Sequence, residues 1–347
     1  MYLVATVSQD QAKAIVSSLL AVADAGAADP TEDEMQAIAE IQNLFLESGF
    51  DLDALPKQIP DNITEVLNSD ELRDETIRLA FLIPLVAGDL ETEKFELVGE
   101  LASRLDESHE LLHEIRQLEK KEYKRWTVEA MRRVVKPAGG RGMLGSTLGI
   151  AETKLGIHID PEIEQRYKSL EALEAGTAGR ALWDYYDQNG FGFPGVKGGL
   201  DYASTSHHDF RHVLGGYDTS ISGEVLVSAF ESGAAQEGGL DWAALTLAQF
   251  QDGIMALPGI DAFKSMVQSP AYFEAYRRGA GSNRNLLTVD WDIWEYMDKP
   301  LSEVRKTYGI PTEGAKVEAT GPWAPTKAER LQQSENRTKK AKHEAIK

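Results

Sequence analysis

Residues 208 to 224 contain His208, Asp209, His212 and Glu224 in the order His-Asp-x-x-His, eleven residues, Glu, so two imidazoles and two carboxylates fall within seventeen positions. On a helix, His208 and His212 lie four residues apart and project from one face, close enough for both rings to bind one ion. Gly215 and Gly216 then break that helix, because glycine tolerates the left-handed backbone that ends one. The chain can reverse and start again at Ser220 or Ser222, both good N-caps, which puts Glu224 in the first turn of the returning helix. Two antiparallel helices arranged this way aim His208, His212 and Glu224 at one point. Two neutral nitrogens, one anionic oxygen and room for water or substrate make the ligand set of an open metal site. Three of the chain's seven histidines fall within residues 207 to 212.

The elements that must position these groups are helical. Apolar residues recur at three- and four-residue spacings along most of the chain, and no segment alternates strictly, so an all-α protein is expected. At 347 residues the chain exceeds what one core usually serves, and two helical domains are the default. In the first domain, residues 1–115, the spacing predicts helices over Gln11 to Ala23, Glu34 to Phe45, Thr76 to Ala87 and Lys94 to Leu105, a helical hairpin that occurs twice. Residues 116–147 read as a basic connecting helix, Arg116 to Lys136, followed by a glycine-rich linker. That linker's Gly140-x-Gly142-x-x-Gly145 matches a dinucleotide fingerprint in form only, since a helix and not a strand precedes it. The second domain, 148–324, has helices predicted at Thr177 to Gln188, Ser206 to Leu214, Ser222 to Gln236, Trp242 to Met255, Pro270 to Arg278 and Leu301 to Tyr308. A stretch from Gly190 to Gly199, rich in glycine and phenylalanine, reads as a loop able to gate a pocket. The tail, 325–347, is basic and reads as disordered.

Charge and composition narrow the functions. There is no cysteine, which excludes disulfides, thiolate metal sites, iron–sulfur clusters and a cysteine nucleophile. Residues 1–115 hold 25 acidic and 6 basic side chains, a net charge of -19 out of -20 for the chain, and such a surface repels nucleic acid. The helix Arg116 to Lys136 combines Tyr123, Trp126, Ala130 and Val134 with a surround of Lys and Arg. It suits an anionic membrane surface or, alternatively, docking on the acidic first domain. Met1 to Val7 lacks a basic-then-apolar leader, so a cytoplasmic protein, peripheral to a membrane at most, is expected.

The His-Asp-x-x-His, eleven residues, Glu signature resembles that of the coenzyme Q (ubiquinone) biosynthesis protein 4 family. Neighbouring residues share the resemblance: Glu174-Ala175-Gly176-Thr177-Ala178-Gly179 upstream, Gly223-Glu224-Val225-Leu226-Val227 with Phe230-Glu231 downstream, and then Ala275-Tyr276-Arg277-Arg278-Gly279, Val289-Asp290-Trp291 and Leu301-x-x-Val304-Arg305. The resemblance implies a metal site at His208, Asp209, His212 and Glu224 that holds one divalent ion, zinc or iron first and manganese or cobalt next. It implies as ligand a polyprenylated aromatic or related isoprenoid lipid of quinone type. The implied activity is oxidative decarboxylation and hydroxylation of that lipid in ubiquinone biosynthesis, with a non-catalytic lipid-binding scaffold of a biosynthetic complex as the alternative. Asp209 is the candidate catalytic residue, as a fourth ligand, an orienter of the ligands or a proton carrier. A homo-oligomer is compatible with all of this. The first domain's repeated pattern of apolar helix, Asp/Gly turn and acid-rich helix start, at Ala23-Asp24-Ala25-Gly26 and Ala87-Gly88-Asp89, resembles TerB-like tellurite-resistance domains. In that family's terms Asp24, Glu34, Asp89 and Glu93 are candidate cation-binding carboxylates.

Overall fold

Helix is the only extended regular structure among the described residues, which in this computed structural model are 7–106, 108–135, 160–196, 202–254 and 261–331. No strand forms among them, and the two β-bridges, Thr177 with Pro300 and Asp252 with Lys264, are isolated. The all-α class expected from the spacing is therefore the class observed. No helix of the described residues is long and apolar enough to cross a membrane. The predicted linker with Gly140, Gly142 and Gly145, the residues Met255 and Gly199, and the tail beyond Leu331 lie outside the described residues.

The chain divides into two compact units. One contains the described residues up to 135 together with 228–254 and 261–288. It begins with α1 (Gln9–Asp24) and α2 (Glu32–Leu44), and each starts with a capping box: Ser8 with Gln11, and Thr31 with Glu34. The short α3 (Ile63–Val66) precedes α4 (Asp70–Ala87), which Ser69 caps and Gly88 ends at φ 80°, and then comes α5 (Thr92–Leu105). Helices α1, α2, α4 and α5 pack on one another, burying Ile15, Leu19, Ile38, Ile83 and Phe95. Each such side chain taken out of water contributes about 1.5–3 kcal/mol.

The predicted single helix from Arg116 to Lys136 is two, α6 (Leu111–Glu119) and α7 (Tyr123–Val135). Lys121 takes the left-handed conformation at φ 57°, and the Lys121 and Glu122 amides close the turn on the carbonyls of Leu118 and Gln117. A lysine there costs about 1–2 kcal/mol, so no glycine marks the break in the sequence. The apolar stripe of α7, Trp126, Ala130, Met131 and Val134, is buried. Arg133 holds Glu114 of α6 through two bonds, Nε to Oε1 at 2.8 Å and Nη2 to Oε2 at 2.9 Å, and also pairs with Asp241. Intramolecular docking therefore uses up the face that a membrane would need. Arg78 of α4 joins the same network through Asp74 (2.9 Å), Glu110 (2.6 Å) and Asp241. Asp241 belongs to the helix Gly239–Phe250, which packs on α4 and α7, while the helix Ser269–Ala280 packs on α2. Residues 228–288 thus group with the N-terminal helices, whereas the sequence reading places them with the histidines. Asp241 is paired with Arg78 and Arg133, cations that sit more than a hundred residues upstream.

The second unit contains the described residues 160–196, 202–227 and 289–331. Its helices include Pro161–Ser169, Ala178–Asn189, Tyr202–Gly215 and Leu301–Thr307. Asp160 accepts from the amides of Glu162 and Ile163, and Pro161 takes the first helical position, a start signal carried by residue type and not by apolar spacing. Thr177 caps the helix Ala178–Asn189, and Gly190 ends it at φ 67°.

Candidate metal centre

His208 and His212 lie one turn apart on the helix Tyr202–Gly215. That helix stops because Gly216 turns left-handed at φ 71°, with the Gly216 and Tyr217 amides both donating to the His212 carbonyl at 2.8 and 3.0 Å. No larger residue fits, since a Cβ on Gly216 would lie 2.8 Å from Ala315 Cβ, from Arg305 Nη2 and from the Val317 carbonyl. The reversal is held by Asp218, whose carboxylate accepts from the Ser220 amide at 3.0 Å and the Ser220 hydroxyl at 2.6 Å. Ser220 in turn accepts from the Gly223 amide at 3.0 Å and so caps the helix Ile221–Ala234. Gly223 lets the loop pass, because a Cβ there would lie 2.0 Å from the Asp218 carbonyl oxygen. Glu224 then falls in the first turn.

The two helices bring three side chains together. The Nε2 atoms of His208 and His212 are 3.3 Å apart, and each is 3.6 Å from a Glu224 carboxylate oxygen. Ligands about 2.0–2.1 Å from a tetrahedral ion are about 3.3–3.4 Å from one another, so these spacings are close to those of a metal site. Among the described residues, His208, His212 and Glu224 are the group of histidine and acidic side chains whose ligand atoms converge, all within 4.8 Å of one another. His212 is fully buried, and its Nδ1 donates to the Tyr217 carbonyl at 3.1 Å. That bond selects the tautomer in which Nε2 carries the lone pair toward the group, the usual way a ligating histidine is oriented. Burial by itself would raise the Glu224 carboxyl's pKa, but when His212 and His208 are protonated the charge of His212 and hydrogen bonding from both rings outweigh it and hold the group well below the usual carboxylate range.

Asp209 faces elsewhere. One residue along the helix from His208, it points about 100° away and receives hydrogen bonds from Tyr186 Oη on Oδ2 and from Tyr185 Oη on Oδ1, the latter at 3.4 Å. Its pKa is raised by burial, against the opposing pull of His208, Tyr186 and His212. Burial and the Asp209 charge push both tyrosines well above the ordinary phenol value. The third histidine, His207, donates from Nε2 to the Trp291 carbonyl at 2.9 Å, and its pKa is lowered by burial, as suits a core residue. Phe191 and Phe193 of the glycine-rich stretch lie against Tyr185, Tyr186 and Tyr167, with ring centroids 5.4 to 6.4 Å apart.

Tyr185, Tyr186 and Tyr217 are site residues that no motif or spacing in the sequence marks. Tyr185 and Tyr186 occupy the buried side of a helix that was predicted, yet nothing in their spacing shows that this side meets Asp209. In the first unit, Glu34 is fully buried against Lys94 Nζ at 2.7 Å, and Asp24 pairs with Lys57 at 2.7 Å, so lysine ammonium groups supply the cations for two of the candidate carboxylates there. No family model, curated protein or solved structure matches this chain.

Proposed function

We propose that the chain is a divalent-metal-dependent protein in which His208, His212 and Glu224 hold one zinc or ferrous ion beside a pocket for a prenylated aromatic substrate. The observation that carries this reading is the convergence of three ligand atoms from two helices at 3.3–3.6 Å, with the second nitrogen of His212 already engaged by a carbonyl. A bound ion would polarise a substrate oxygen or, as iron, support oxygen chemistry at the positions the protein leaves open. Glu224 supplies the one negative charge of the set, which favours a dication over a neutral ligand. Asp209 acts as an orienter: by gripping Tyr185 and Tyr186 it fixes the ligand helix against the helix Ala178–Asn189. Tyr185 lies 5.4 Å from the His212 ring and 6.0 Å from Phe191, which is 39% exposed, so ring contacts link a ligand to an aromatic side chain at the surface.

The reaction proposed is the one implied by the sequence resemblance: the ring loses its carboxyl group as carbon dioxide and gains a hydroxyl, a two-electron oxidation that consumes one dioxygen and one water and releases hydrogen peroxide. Its test is incubation of the iron- or zinc-loaded protein in air with a polyprenylated aromatic carboxylic acid, followed by mass spectrometry of the lipid. Appearance of the hydroxylated ring supports the enzyme. Retention of the prenyl lipid without turnover assigns the lipid-binding scaffold instead.

A further inference from the structure

Arg305 lies in the helix Leu301–Thr307 and is 1% exposed. Its Nε donates to the Leu214 carbonyl at 2.9 Å and its Nη2 to the Val213 carbonyl at 3.1 Å. These carbonyls belong to the last turn of the helix that carries both histidines, where no helical amide remains to satisfy them. Water does not reach a site this buried, so the guanidinium does what solvent does at an exposed helix end. Its charge also lies at the negative end of the helix dipole, and its rigid fork fixes two acceptors at once.

The carbonyls it holds are those of the two residues directly after His212. One step further on, the Gly216 and Tyr217 amides close on the His212 carbonyl, and the Tyr217 carbonyl receives the His212 ring proton. Gly216 packs so tightly on Arg305 that a Cβ would lie 2.8 Å from Nη2. Arg305 is itself anchored, because Leu301 and Val304 on its helix are buried and the Leu301 amide bonds to the Gly176 carbonyl at 2.9 Å. The turn that aims His212 is therefore built against a fixed cation.

We propose that Arg305 is a positioning residue for the metal site, acting through the Val213 and Leu214 carbonyls on the turn that orients the His212 ring. This rests on the reading of His208, His212 and Glu224 as metal ligands. A group bonded directly to a metal ligand, as the Tyr217 carbonyl is to His212, changes metal affinity 10- to 100-fold when lost; Arg305 acts one step further out, and Arg305→Met should weaken zinc binding by about 10-fold, the lower end of that range. Arg305→Lys keeps the charge but offers a compact ammonium in place of the fork, and should fall between.

The test is zinc affinity of the full chain by competition with a chromophoric chelator, for wild type, Arg305→Met and Arg305→Lys. It is paired with the visible spectrum of each protein at saturating cobalt, which reports ligand geometry and is indifferent to a mere loss of stability. Weaker zinc binding in both variants with a shifted cobalt band in Arg305→Lys is the result expected. Folded variants that bind zinc as wild type does, with an unchanged cobalt band, would overturn the role of Arg305 and leave the metal site standing. Wild type that takes up neither ion overturns the metal reading itself. Should Arg305→Met not fold, Arg305→Lys decides by the same two readouts.

Discussion

Replacing Glu224 by glutamine keeps the shape of the side chain and removes the only negative charge among the three converging groups. Each imidazole nitrogen stays in place, 3.3 Å from the other, but the carboxylate oxygens 3.6 Å from them become a neutral amide. Residues that only support a ligand are worth 10- to 100-fold in affinity; Glu224 offers a ligand atom itself, so Glu224→Gln should weaken zinc binding by about 100-fold or more, about 2.7 kcal/mol. The consequence for stability follows by mass action. At a zinc concentration 1,000 times the wild-type Kd, wild type gains about 4.1 kcal/mol over its own metal-free state, while a variant bound 100-fold more weakly gains about 1.4 kcal/mol. Thermal unfolding with and without zinc, each protein against its own metal-free baseline, measures the two increments. Glu224 is 22% exposed, so the metal-free fold should survive the change. Equal increments in both proteins would refute the assignment of Glu224 as a ligand.

Asp252 in the first unit is 5% exposed, and among the described residues neither of its carboxylate oxygens has a hydrogen-bond partner. Burial pushes its pKa up to about 9, with Asp89 adding to the rise and Lys264 opposing it. The folded state thus holds a proton that the unfolded state releases above about pH 4, and stability should fall by up to about 1.4 kcal/mol per pH unit between those values. Asp252→Asn should remove that slope and stabilise the protein at pH 7 by on the order of 4 kcal/mol, which urea unfolding at pH 5, 7 and 9 would check; an unchanged slope counts against the buried neutral carboxyl. Tyr186→Phe strips Asp209 Oδ2 of its donor and should cost about 1–3 kcal/mol in the same assay. Because Asp209 offers no atom to the converging group, zinc affinity should drop far less than in Glu224→Gln, and an equal drop would show that Asp209 is a ligand.

What could be read beforehand divides along physical lines. The four-residue spacing of His208 and His212, the glycines after them and the serine cap before Glu224 are local signals, and local geometry alone carried those groups to one point. The capping serine is Ser220, one of the two positions expected. Asp209 was different, because its environment depends on which helix covers that side, and Tyr185 and Tyr186 come from a separate element, 24 and 23 residues upstream respectively. Arg305 is more distant still, and the spacing of Leu301, Val304 and Arg305 says nothing about which carbonyls the arginine reaches. In the first unit the helices were visible from their spacing, but the α6–α7 break was not, because a lysine holds the left-handed position that glycine usually marks. The grouping of residues 228–288 with the N-terminal helices was hidden for the same reason as the surroundings of Asp209: periodicity identifies a buried face and is silent about its partner.

The most direct test of the metal centre is anomalous diffraction from crystals of the protein grown with stoichiometric zinc or iron, together with elemental analysis of the same preparation. One ion per chain is predicted, about 2.0–2.2 Å from His208 Nε2, His212 Nε2 and a Glu224 carboxylate oxygen. A preparation that retains no ion, or an ion found away from those three atoms, would contradict the account.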